Sequence, residues 1–316
     1  MVALPAALPA FAQEAPVKDV PMTVEPAIAT TPVAQQAVAK ELRAQILLER
    51  AWFSPGEIDG QWGKNSRTAL AAFQLARGLP TTGELDDASL AALDSDGAAA
   101  LVTYTIVDAD VAGPFLPTPA GPAAKAKMKS LPYQSAAEAL GEKFHASPAL
   151  LRALNPGVPL DVVGGTLMVP DVLDSAPLAM AAKIVVDKSD AVLRLLDEAG
   201  TVYAQFPITS GTAKFPLPIG DWTIKSITPN PWYSYDPALI VGANKSDRKA
   251  LLPPGPNGPV GSMWMALSKP HYGIHGTPEP GLIGRTQSSG CVRLTNWSAN
   301  AVAQAVSVGM TVSMQE

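Results

Sequence analysis

The sequence has little cysteine, no excess of positive charge and no long apolar run, and each of these absences excludes a class of protein. Its 316 residues include one cysteine, Cys291, so no disulfide can form within the chain. The formal net charge is −5, so the chain lacks the basic surface expected of a nucleic-acid-binding protein. No apolar run is long enough to span a membrane. What is present, 47% hydrophobic residues over this length, predicts two or three folded domains.

The N-terminus has part of the pattern of an export signal. The stretch MVALPAALPAFAQEAP is apolar and contains Ala10-Phe11-Ala12, a small-x-small cleavage pattern. No lysine or arginine precedes Lys18, so we expect residues 1–12 to be the remnant of a longer signal, followed by a linker over 13–34. A disordered Ala/Pro tail is the alternative. In an oxidising compartment, the lone thiol is either buried and inert or used for chemistry.

Residues 35–96 are predicted to form a small all-α domain of three helices. Asn65 is placed to cap the second helix and Asp86 the third, and Leu70 and Phe73 recur at helical spacing. The D-G-x-x-G turn and the A-x-x-A-F-Q helix of this segment resemble the three-helix peptidoglycan-binding domain. A bundle that merely packs is the alternative, because apolar residues at this spacing commonly form a core.

Residues 102–171 open on the strand-like YTIV and close on GGTLMVP, with an amphipathic run between them. This order resembles an α+β LysM module, which implies binding of glycans that contain N-acetylglucosamine. An Ala/Pro-rich insertion at 112–131 departs from that pattern, and a spacer function is the alternative.

A linker is expected over 172–181, and the residue pattern from 182 to 316 predicts mainly β-strands. The runs KIVVDK, AVLRLLDEAG and TVYAQFPITSG predict an antiparallel meander, and a short helix capped by Asn296 follows near the end. We predict a multidomain chain whose last domain is a β-sandwich with a short helix. The loop over 228–260, with three aromatic residues, is interpreted as a substrate lid or a packed excursion.

The lone cysteine lies in a turn that suits nucleophilic chemistry. Cys291 follows Gly290, and His275 is the nearest base in sequence. A buried structural cysteine is one alternative. A metal site built from His271, His275 and Cys291 is another, but on a strand the two histidines would lie about 13 Å apart, too far to share an ion.

The segments YGIHGT and SSGCVRLTN, together with FPITSGTAKFPLPIGDWTIKSI upstream, resemble the L,D-transpeptidase catalytic domain. The resemblance implies that Cys291 is the nucleophile and His275 the base, oriented by the Gly276 carbonyl. It implies an oxyanion hole from the backbone at Ser289, Gly290 and Cys291, and no metal or organic cofactor. The residues that it implies for substrate binding are Tyr272, Thr277, Ser288 and Arg293, and a structural ion pair is the alternative for Arg293.

The resemblance also implies the reaction: ping-pong acyl transfer on peptidoglycan tetrapeptide stems, with D-Ala released and a thioester formed at Cys291. The acceptor is a diaminopimelate amine, a lysine of an outer-membrane protein, or water, in which case the enzyme is an L,D-carboxypeptidase. We therefore expect a periplasmic or cell-wall-associated protein of peptidoglycan biosynthesis, with stem peptides and glycan as partners and carbapenems as acylating agents. Many members have histidine where this chain has Ser289, so a non-catalytic peptidoglycan-binding scaffold is the alternative.

Overall fold

The structure is a computed structural model, and it describes residues 31–32, 39–95, 97–173, 175–240 and 242–316. The predicted signal remnant at 1–12 lies outside the described residues, as does most of the predicted linker at 13–34. No helix among the described residues has the length and apolar character needed to cross a membrane.

Three helices form the first unit, and they pack around a core that contains Phe53, Leu70 and Phe73. The helices are α1 (Lys40–Arg50), α2 (Lys64–Ala76) and α3 (Asp87–Leu93). Asp86 caps α3 as predicted, because its carboxylate accepts from the Ser89 N–H at 2.8 Å. The predicted cap of α2 is wrong: the helix begins at Lys64, so Asn65 lies inside its first turn.

The second unit has four helices between the second and third strands of a three-stranded antiparallel sheet. Its elements are β1 (Thr31–Pro32), β2 (Leu101–Thr105), α4 (Asp108–Val111), α5 (Pro122–Lys125), α6 (Ala136–Lys143), α7 (Pro148–Leu154) and β3 (Thr166–Pro170). The pair β2–β3 packs on α6, with Tyr104 and Phe144 in edge contact at 4.9 Å between ring centroids. Ser135 and Ser147 cap α6 and α7.

The third unit is mainly β, as predicted, and is built on one curled eight-stranded sheet. Its elements are β4 (Lys183–Asp187), β5 (Val192–Leu196), β6 (Val202–Pro207), β7 (Gly220–Pro229), β8 (Tyr233–Tyr235), β9 (Ala250–Leu252), β10 (Met263–Leu267), β11 (Gly273–His275), β12 (Val292–Arg293), α8 (Asn296–Gln304) and β13 (Thr311–Gln315). The order in the sheet is β12-β11-β10-β7-β13-β4-β5-β6, and β8 pairs with β9 separately. The predicted antiparallel meander is confirmed in β4, β5 and β6, whereas β13 is parallel to β4 and β12 is parallel to β11. The last strand enters the middle of the sheet, a placement that local residue patterns do not encode.

The Ala/Pro-rich insertion at 112–131 lies against the third unit, unlike a free spacer. Helix α5 packs on β9. Leu131 is fully buried, its N–H donates to the Pro254 carbonyl at 2.8 Å, and its own carbonyl accepts from the Asn257 N–H at 3.0 Å. Gly255 has no room for a side chain, because a Cβ there would lie 2.2 Å from the Leu131 oxygen. The insertion is therefore fixed on the β unit by backbone contacts.

The three-helix unit also contacts the β unit, at the segment that follows His275. The Asn65 amide donates to the Ile283 carbonyl at 2.9 Å, which is the role this side chain has in place of capping. Asp59 forms an ion pair with Arg285 at 3.4 Å. All three units are therefore joined by specific polar contacts.

A carboxyl group of the second unit is enclosed at the first turn of α8. Thr295 caps this helix in place of the predicted Asn296, whose amide donates to Glu142 Oε1 at 2.8 Å. The Asn296 oxygen accepts from the Ser262 N–H at 3.1 Å. Burial raises the pKa of Glu142 to about 8, with Glu138 and Glu57 adding to the effect and the Asn296 hydrogen bond opposing it.

This carboxyl predicts a loss of stability as the pH rises. The folded protein holds the Glu142 proton up to about pH 8, whereas the unfolded chain releases it near 4.5, so its contribution is lost across that interval. In urea unfolding, we expect Glu142→Gln to lose about 4 kcal/mol less stability than wild type between pH 5 and pH 8.5. Glu198→Gln, at an exposed position, is the control. Equal losses in all three proteins would contradict the assignment.

Candidate active site

Two adjacent parallel strands bring the predicted catalytic residues to one face of the sheet. Strand β11 pairs with β12, with Ile274 opposite Val292 and His275 opposite Arg293. Ile274 and Val292 are fully buried in the core. Because side chains alternate along a strand, Arg293, His275 and Cys291, which precedes Arg293 by two residues, share the opposite face.

The ring of His275 is held in one orientation. It is 3% exposed, and its Nδ1 lies 2.7 Å from the Gly276 carbonyl. A carbonyl can only accept, so Nδ1 carries the proton and Nε2 has a free lone pair. Trp264 stacks on the ring at 5.4 Å between centroids and also covers Gly273, where a Cβ would lie 2.6 Å from the indole. Sequence reasoning missed Trp264, although its place opposite His275 on β10 follows once the strands are paired.

The turn from Ser288 to Cys291 is closed from inside by a hydroxyl. Ser288 Oγ donates to the Cys291 carbonyl at 2.6 Å and accepts from the Gly290 N–H at 3.1 Å. Gly290 has φ of 106°, and a Cβ there would lie 2.8 Å from the Tyr272 ring. The Gly290 N–H, predicted to serve an oxyanion, is thus engaged with Ser288 in this conformation.

Both of the predicted reacting groups, the His275 imidazole and the Cys291 thiol, are neutral. Burial lowers the pKa of His275 to about 3; the positive charge of Arg293 adds to this and the Gly276 hydrogen bond opposes it. Burial raises the pKa of the Cys291 thiol above its usual range, with a Gly273 backbone hydrogen bond and Arg293 opposing. Near pH 7, the site therefore holds a thiol and a neutral imidazole.

This neutral pair predicts how alkylation of the thiol depends on pH. We expect the rate of Cys291 alkylation by iodoacetamide, followed by mass spectrometry, to rise about tenfold per pH unit from pH 6 to pH 9. Arg293→Met should move the profile to higher pH, because Arg293 lowers the thiol pKa. A rate that is already level below pH 7 would instead indicate a standing thiolate–imidazolium pair.

A cavity of about 560 Å³ opens over Cys291 and His275. The predicted residues Tyr272, Ser288, Ser289 and Arg293 line it, and so do Trp232, Tyr233 and Tyr235 of the loop over 228–260. That loop is therefore a wall of the site. Burial raises the pKa of Tyr233 to about 12. Thr277, predicted to bind substrate, does not line the cavity, since it is buried and its hydroxyl accepts from the Glu279 N–H at 3.3 Å.

The charge of the cavity is positive. Arg293 and Lys125, the latter from the insertion at 112–131, line it, and no aspartate or glutamate among the described residues does. Within the described ranges, no carboxylate forms an ion pair with Arg293, so the predicted structural ion pair is not formed there. The site is therefore suited to an anionic ligand.

Comparison with known proteins connects this site to a family. Residues 181–314 match the family model of the L,D-transpeptidase catalytic domain, and residues 42–93 match that of a peptidoglycan binding domain. The chain carries an L,D-transpeptidase catalytic domain. Cys291, His275 and Arg293 all lie in the matched transpeptidase range. The two matched domains indicate that peptidoglycan is a partner of this chain and that the protein acts outside the cytoplasm.

Relatives with this transpeptidase domain are distant. YkuD of Bacillus licheniformis, named as an L,D-transpeptidase, is 29% identical over 179 residues, which are 56% of this chain and 92% of that protein. YkuD of Bacillus subtilis is 26% identical over 172 residues, 54% of this chain and 88% of that protein. The crystal structure of an L,D-transpeptidase from Xylanimonas cellulosilytica is 15% identical with a TM-score of 0.40, and the match covers 92% of this chain and 100% of that one.

Proposed function

We propose that the transpeptidase domain acts on peptidoglycan tetrapeptide stems by ping-pong acyl transfer, with Cys291 as nucleophile and His275 as base. The observation that supports this most directly is the shared face of β11 and β12. There, the only cysteine of the chain and an imidazole with a free Nε2 line one cavity.

In the first half-reaction, the thiol attacks the carbonyl at the L-centre of meso-diaminopimelate. His275 Nε2 takes the thiol proton as the carbon–sulfur bond forms, so the buried site holds no ion pair before substrate arrives. Since the Gly290 N–H is engaged with Ser288, the N–H of Cys291 is our candidate donor to the oxyanion. Collapse breaks the amide bond, D-Ala leaves with the proton from His275, and a thioester remains.

In the second half-reaction, a nucleophile enters and His275 takes its proton as it attacks the thioester. The carbon–sulfur bond then breaks, and His275 returns the proton to the sulfur of Cys291. The amine of a second diaminopimelate gives a 3-3 crosslink, and a lysine of an outer-membrane protein gives an anchored protein. Water gives a tripeptide, the L,D-carboxypeptidase reaction. The same nucleophile is expected to be acylated by carbapenems.

The experiment is intact-protein mass spectrometry of wild type incubated with a diaminopimelate-containing tetrapeptide muropeptide, with the small products analysed in parallel. We expect a tripeptide adduct that maps, after digestion, to the peptide with Cys291, together with free D-Ala. The ratio of tripeptide to 3-3 dimer identifies the acceptor. Protein that binds sacculi but gives neither adduct nor D-Ala would indicate the non-catalytic scaffold instead.

A further inference from the structure

We propose that Lys125, from the insertion at 112–131, binds a carboxylate of the donor stem peptide and so makes the LysM-like unit part of the substrate site. This inference rests on the proposed function and adds a specificity residue to it. Lys125 belongs to the second unit, yet it lines the same cavity as Cys291 and His275.

The position of Lys125 is set by packing. Helix α5, which ends at Lys125, lies on β9, and the cavity wall continues through Gly121 and Pro122 of the same helix region. The segment is fastened behind the helix by Leu131, whose two backbone hydrogen bonds reach the loop after β9. The Asn257 amide adds a third contact, donating to the Pro132 carbonyl at 2.9 Å. A side chain on such an anchored segment can contribute to specific binding.

The ammonium group of Lys125 is not paired among the described residues. In the part of the chain that the structure describes, its ammonium makes no hydrogen bond or ion pair, whereas Lys143, also of the second unit, is paired with Asp110 at 2.9 Å. Burial lowers the pKa of Lys125, with the negative charge of Glu279 opposing. A partly desolvated cation facing a cavity without carboxylates is suited to an anion brought by the ligand.

The donor stem supplies such anions. A tetrapeptide that ends in D-Ala carries a carboxylate there and a second on the side chain of diaminopimelate. Arg293 and Lys125 lie on the same cavity, so two cations meet a ligand with two carboxylates close to its scissile bond. The two cations would hold the stem on both sides of the carbonyl that Cys291 attacks.

The test compares Lys125→Met with Lys127→Met in the full chain. Lys127 belongs to the same segment but is exposed and does not line the cavity. For D-Ala release from the tetrapeptide, we expect Lys125→Met to raise KM about tenfold and to change kcat less. Lys125→Arg keeps the positive charge and should have a KM close to that of wild type. Lys127→Met should match wild type in both constants. Iodoacetamide alkylation of Cys291 should be unchanged in all variants, which shows that the site is intact.

Two amidated substrates show which carboxylate is bound. One carries D-alanine amide at its end, the other an amidated diaminopimelate side chain. The KM difference between wild type and Lys125→Met should disappear on one of them and persist on the other. A difference of the same size on all three substrates, or a Lys125→Met variant that matches Lys127→Met, would overturn the proposal. Absence of turnover in wild type would instead overturn the proposed function.

Discussion

Replacement of Cys291 by serine is expected to lower D-Ala release by about 10⁴-fold or more, although the side chains are nearly isosteric. The reason lies in the base. With its pKa lowered to about 3, the imidazole of His275 is too weak to take a proton from an alcohol. Even with its pKa raised by burial, the thiol is far more acidic than a serine hydroxyl. The site therefore works only with sulfur.

The measurement is the initial rate of D-Ala release from the tetrapeptide muropeptide, with binding to isolated sacculi as the control for folding. Cys291→Ser should bind sacculi as wild type does, because the matched peptidoglycan-binding domain lies at 42–93, in a separate unit. A serine variant with more than one hundredth of the wild-type rate would contradict the requirement for a thiol at position 291.

Replacement of His275 by glutamine is expected to lower acyl transfer by about 10³-fold. Glutamine can fill much of the space under Trp264 but offers no basic nitrogen at the position of Nε2. Alkylation of Cys291 by iodoacetamide at pH 9.5 should stay within about threefold of wild type, because part of the thiol ionises there without a base. This separation of the two rates identifies a base and distinguishes it from a residue that only supports the fold.

The matched control is the other histidine of the cavity. His271 lines the same space, and its φ of 69° is a conformation that asparagine tolerates, so His271→Asn is the conservative change. We expect it to reduce D-Ala release by less than about tenfold, since its ring is not stacked against Trp264 or bonded to Gly276. Equal losses in the two variants would contradict the assignment of His275 as the base.

The parts of the site that could be predicted from sequence are those within continuous segments. Cys291 and His275 lie in short motifs, and their common face follows as soon as β11 and β12 are paired. Trp264 and Lys125 could not be found in this way, because they reach the cavity from a neighbouring strand and from another unit. Only the folded chain brings them together.

Capping residues show the same limit in the fold. Asn65 and Asn296 each stand near a helix start, as sequence preference predicts, yet each uses its amide in a contact between units, with Ile283 and Glu142 respectively. Asp86 and Ser135, whose side chains accept from N–H groups in the first turn of their own helices, cap as their type predicts. Tertiary hydrogen bonds thus override local preference where units meet.

The contacts of Asn65, Glu142 and Leu131 have a consequence for how the enzyme meets its polymeric substrate. They fasten the three-helix unit and the second unit to the β sheet at three separate places. A glycan strand held by the helices would then lie at a set distance and angle from the thiol. The distance between the glycan-binding helices and the thiol would then be fixed. This distance would decide which stem peptide along the strand is cut.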